Sequence, residues 1–246
     1  MLLNGRFFRP LAVIAGAFST ACSDGTGPGE GALQVHAFAH GPAVQHATVQ
    51  PVPGAEAAVF TPGHAESVRI DRILLVLGRV KLEKAGVTQA DFVDERSVVV
   101  SLTPGGAPAE LLDLDIPAGE YKELELAFDK LERGNPGEEP LIQQHPALAD
   151  RTLLIEGTVT GDGTTEPFTF TADLDLDVEV QFLPPRLVGL AEGEPVMASV
   201  VIDVEGWMLD AVGRLLDPRD PASRSAIEGN VQRSADLFED PEVDGR

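Results

Sequence analysis

Asp173, Asp175, Asp177 and Glu179 alternate with Leu174, Leu176, Val178 and Val180. In an extended strand every second side chain shares a face, about 6.7 Å apart, so this spacing predicts four carboxylates in one row. Like charges so placed repel, and the repulsion is offset by water and salt, by cross-strand Lys or Arg, or by a bound cation. Calcium favours carboxylate oxygens but takes about six or more of them, which one strand cannot supply. The row therefore reads first as a solvated acidic face, with a calcium site on Asp173, Asp175, Asp177 and Glu179 as the sharper alternative.

The remaining chemistry-bearing residues are sparse. Residues 240–245, Asp-Pro-Glu-Val-Asp-Gly, carry acids at positions one, three and five and glycine at six, like the first half of an EF-hand loop. The acid required at position twelve is missing, so an acidic tail is the better reading. Four of the five histidines, His36, His40, His46 and His64, fall before residue 65, with His145 later. His36 and His40 sit about 13 Å apart along one strand face and cannot share an ion between themselves. Neither a Gly-x-Ser-x-Gly, His-Glu-x-x-His or Ser-x-x-Lys motif nor a usable Cys–His arrangement is present. Asp113 and Asp115 have the residue type for acid–base work, yet neighbouring strand carboxylates mostly face solvent. Trp207, the one tryptophan, follows Glu205-Gly206 and reads as a core plug more readily than as a sugar-stacking platform. No catalytic residue is assigned.

Cys22 is the single cysteine. It follows a leader with Arg6 and Arg9, an apolar stretch over residues 11–18, and the small residues Ser19, Thr20 and Ala21. That is the build of a secretory signal, and about eight apolar residues fall well short of the roughly 20 that span a bilayer. Cysteine directly after the small-residue site resembles a lipobox, although Ser19 stands where that pattern usually has an aliphatic residue. The expectation is export, lipidation at Cys22, and an address in the cell envelope on the outer membrane or periplasmic face. Cleavage after Ala21 without lipid is the alternative.

Eighteen Lys and Arg against 40 Asp and Glu give a net charge of −22. Phosphate neutralisation by a basic face, and with it nucleic acid as a partner, is disfavoured. Membrane association then rests on the lipid anchor rather than on charge.

These side chains need elements to position them, and the dominant period is two. Leu33, Val35, Ala37 and Ala39 alternate with Gln34, His36, Phe38 and His40, which predicts a half-buried strand. The unbroken run Ile73-Leu74-Leu75-Val76-Leu77 predicts a strand buried on both faces. Further strands are expected over 97–102, 109–116, 121–131, 152–160, 167–182 and 196–204, with a hairpin at Gly161-Asp162-Gly163. Short helices are expected over 138–145 and 225–238, the latter with Ile227, Val231 and Phe238 on one stripe and Ser225 and Glu228 at capping-box spacing. The fold class is all-β: a mainly antiparallel β-sandwich, immunoglobulin-like or transthyretin-like, with a short inserted helix and a C-terminal helix. Along the chain this divides into a signal (1–21), a glycine-rich tether (22–31), the sandwich (32–217), and a C-terminal helix with an acidic tail (218–246).

Residues 115–126, Asp-Ile-Pro-Ala-Gly-Glu-Tyr-Lys-Glu-Leu-Glu-Leu, resemble a recurring element of a family of bacterial secreted lipoproteins with no known activity, in which Pro-Ala-Gly-x-Tyr enters a strand. Residues 70–77 and 207–218 look like features of the same group. The resemblance implies a β-sandwich lipoprotein and carries over no functional residue. The function expected is a non-enzymatic envelope module with a binding or structural role, steadied by calcium if the acidic row holds it, with an unknown protein or glycan as partner. An enzyme or accessory subunit using loop carboxylates is the alternative, marked by a cleft of acids with raised pKa values.

Overall fold

The computed structural model describes residues 30–46, 66–86, 89–189 and 195–239. Cys22, His64 and the acidic tail at 240–245 lie outside them, as does the side chain of His46. The architecture is an all-β sandwich of two sheets with few helices.

The smaller sheet has the order β12-β11-β1-β6, with β1 at Glu30–His40, β6 at Ala109–Pro117, β11 at Val196–Asp203 and β12 at Ala235–Glu239. Strand β1 pairs antiparallel with β6 but parallel with β11. Alternation cannot announce a parallel partner, because that pairing joins residues about 160 positions apart. Glu30 and Gly31, in the stretch expected as tether, already pair with Pro117 and Ile116.

The larger sheet is organised by one long strand, β3 (Ser67–Lys84). Along one side of it run three short strands, β2 (Val44–His46), β5 (Val98–Leu102) and β4 (Phe92–Asp94). Along the other run β7 (Gly119–Phe128) and then β8 (Leu153–Gly161), collinear and both antiparallel to β3. The next layer repeats this, β9 (Thr164–Ala172) against β8 and β10 (Leu176–Val188) against β7. The expected single strand over 167–182 is thus two strands joined by Asp173-Leu174-Asp175. They cross the gap between β7 and β8, where buried Thr152 supplies the missing ladder bonds: its Oγ1 donates to Leu174 O at 2.9 Å and accepts from Leu174 N at 3.1 Å.

The gap exists because residues 129–152 leave the sheet and fold back over its outer face. They carry helix α1 (Glu139–Gln144), and Leu131, Ile142, Leu148 and Ala149 pack on Leu74, Val76 and Leu154. Ile73, Leu75 and Leu77 point the other way, into the core between the sheets. This excursion is why the 73–77 run is apolar on both faces.

Helix α2 is Arg224–Gln232, shorter than expected. Ile227 and Val231 are buried, but Phe238 lies on β12 and is half exposed. The capping-box reading also fails: Ser223 takes the N-cap position with no side-chain hydrogen bond, and Glu228 pairs with Arg224 at 3.0 Å. Residues 235–239 follow the pairing of β11, whose edge they cover, in place of continuing the helix. No helix among the described residues is long and apolar enough to cross a membrane.

Candidate functional site

The acidic row keeps its alternation. Leu174, Leu176 and Val178 are buried, while Asp173, Asp175, Asp177 and Glu179 are exposed. Its first two members precede β10, and its last two lie on it. Asp173 meets Lys130 at 3.1 Å. Glu179 stands directly opposite Glu125 of β7, whose carboxylate is bound by Arg79 and, at 3.5 Å, by Lys81 of β3. Among the described residues Lys130 is the only cation paired with the row, while Arg79 and Lys81 offset the facing Glu125. Among the described residues no three His, Cys, Asp or Glu side chains are gathered to hold a metal ion. An extended row spreads its carboxylates instead of converging them, so the calcium reading gains no geometry.

The histidines are similarly dispersed. His36 faces Ser199 on one side and Glu110 on the other, and His40 Nδ1 is 4.0 Å from Asp203.

Two open clefts are present among the described residues. The larger, about 430 Å³, lies where β4 and the chain after it approach the edge strand β6, and is lined by Phe92, Val93, Asp94, Arg96, Asp113, Leu114 and Asp115. Asp94 is locked there by Arg96, whose Nε reaches both carboxylate oxygens at 3.0 Å and whose Nη2 reaches Oδ2 at 2.6 Å. The guanidinium holds the carboxyl below its ordinary range, against the opposing effect of burial. The smaller cleft, about 230 Å³, is lined by Asp203, Glu205, Gly206, Asn230, Arg233, Ser234 and Asp236.

The same device recurs elsewhere. Asp210 accepts the backbone N–H of Arg214 as well as its guanidinium, Asp150 does so with Arg133, and both carboxyls are lowered. Burial alone would raise Asp217, but the bonds and charge of Arg219 outweigh it and the net shift is downward. Each carboxyl with a resolved shift among the described residues moves down. Sequence reasoning missed these locks, though Asp94-Glu95-Arg96 and Asp217-Pro218-Arg219 repeat an Asp-x-Arg spacing that signals them.

The Pro-Ala-Gly-x-Tyr element turns the chain from one sheet into the other. Tyr121 is fully buried and donates its hydroxyl to Pro117 O at 2.6 Å. Over its ring, 3.9 Å from the centroid, lies the buried ammonium of Lys84, which also donates to Ala118 O at 3.1 Å. A Cβ at Gly119 would fall 2.1 Å from Lys84 Nζ, so a side chain there would push the ammonium off the ring. A cation held by a π face and a carbonyl at a chain corner is a structural clasp. At the opposite end Trp207 is buried as expected, its carbonyl accepting from Asn230 at 3.0 Å, while Met208 N donates to buried Gln45 at 2.9 Å.

Compared with protein-family models, curated proteins and solved structures, the chain matches none.

Proposed function

We propose that the protein is a non-enzymatic lipoprotein of the cell envelope, anchored through Cys22, whose sandwich has a binding or structural role toward a protein or glycan. The observation that carries the non-enzymatic part is the pairing of the acid in the larger cleft: hydrogen bonds from Arg96 occupy both carboxylate oxygens of Asp94, which ties up the group that proton transfer or nucleophilic attack would need free. The anchor rests on the placement of Cys22 after Ser19-Thr20-Ala21, eight residues before the first strand begins.

Mass spectrometry of the full chain expressed with its own leader tests the anchor. The expected mature N-terminus is an acylated Cys22, and Cys22→Ala abolishes both acylation and membrane fractionation. A wild-type N-terminus at Cys22 without lipid, or a retained leader, overturns it.

A further inference from the structure

The end of the sandwich where the tether enters carries the most exposed large apolar side chain among the described residues. Leu183 is 84% exposed and Leu187 61%. Both lie on β10, where its pairing with β7 breaks between Gln181 and Arg186 and Leu183-Pro184-Pro185 stands away from the ladder. Proline offers no N–H to an added strand, so this edge is poorly suited to backbone pairing with another protein.

The chain path fixes where the bulge sits relative to the anchor. Glu30 pairs with Pro117, and Gly119, two residues on, pairs with Val188, the neighbour of Leu187. A Cβ at Gly31 would fall 2.2 Å from Val188 Cγ1, so the chain entering β1 runs against the end of β10. From Cys22 to Glu30 the chain reaches at most roughly 28 Å. Between the two leucines Arg186 is neutralised by Glu239 of β12.

We infer that Leu183 and Leu187 dock on the phospholipid surface that holds the Cys22 anchor, fixing the orientation of the domain; this rests on the lipidation reading above. Two leucines alone would bind a membrane weakly. The tether makes docking intramolecular at an effective concentration near millimolar, and each leucine buried multiplies the docked population by roughly tenfold. The host surface is zwitterionic, because Glu120 faces Leu187 across the ladder and the net charge of −22 opposes anionic headgroups.

The test uses the full chain, matured with its own leader and reconstituted in phosphatidylethanolamine and phosphatidylcholine vesicles. Acylation leaves Cys22 no free thiol, so Leu183→Cys, Leu187→Cys and Val212→Cys each present one site for an environment-sensitive dye. Val212 is 72% exposed and lies beyond the C-terminal end of β11, at the far end of the sandwich. Blue-shifted emission and quenching by brominated lipid at 183 and 187, but not at 212, are expected. Adding Leu187→Asp to the Leu183→Cys chain lowers the docked population by roughly tenfold. Acylated, vesicle-bound protein whose dyes at 183 and 187 behave like that at 212 overturns the docking while leaving the anchor standing, and hands the patch to a protein partner. A Cys22 shown by mass to be unacylated overturns both.

Discussion

Asp94, Asp210 and Asp217 each lie within four residues of the arginine that binds them, whereas Asp173, Asp175, Asp177 and Glu179 have a single ion pair among the described residues, Asp173 with Lys130. The first set is local: the turn that presents the carboxylate also presents the guanidinium, so little chain entropy is lost in pairing them. The second is set by the ladder, which spaces its acids evenly and delivers cations only where a neighbouring strand carries them. Acid-rich sequence thus yields two different objects, carboxylates fixed by the fold and carboxylates left to water and salt.

The sharpest way to break the contrast is at Thr152, the hinge on which the acidic row hangs. Thr152→Val keeps the shape but strands the N–H and C=O of Leu174, and is expected to cost about 3 kcal/mol in urea denaturation; an unchanged midpoint would show that the row is held otherwise. Next, Asp217→Asn removes one of the two carboxylates that bind Arg219, leaving Glu166, and should lower stability by at most about 1 kcal/mol, less in high salt. The locks also set a pH limb. Because the folded carboxyls titrate below their unfolded value of about 3.9, their stabilisation is present above that pH and is lost as pH falls through the lowered values. Melting temperatures measured from pH 6 to pH 2 should drop mainly below about pH 4. A smaller effect of opposite sign is expected on the row: Glu179→Gln relieves the charge facing Glu125 and should stabilise by a few tenths of a kcal/mol, a gain that shrinks as salt is added. Smallest of all is calcium. Millimolar calcium after EDTA should leave the melt of the full chain unchanged, and a rise of several degrees would make the row a cation site.

Much of the strand content was legible because burial writes itself into alternation. Leu33, Val35, Ala37 and Ala39 are all core, and Asp162 and Gly163 adopt the positive φ of 51° and 72° that a tight hairpin turn needs. The double-sided run at 73–77 announced a cover, and the residues around α1 supply it. Long-range choices were not legible. Nothing in residues 235–239 says that β11 offers a free edge, so the stripe ending at Phe238 read as helix. Nothing in 173–175 says that β7 and β8 part opposite them. At the candidate site the exposure of the row was readable from its pattern, whereas the bulge at Leu183 was not, since it depends on which strand lies alongside.

The contrast rests on Asp94, Asp150, Asp210 and Asp217 being held ionised by the arginines that bind them. Side-chain carboxyl NMR of the full chain, followed from pH 2 to pH 8, tests it directly. All four are expected to titrate below the ordinary aspartate value. Any of the four titrating at or above that value would contradict it, and for Asp94 a midpoint near neutrality would restore the enzyme reading.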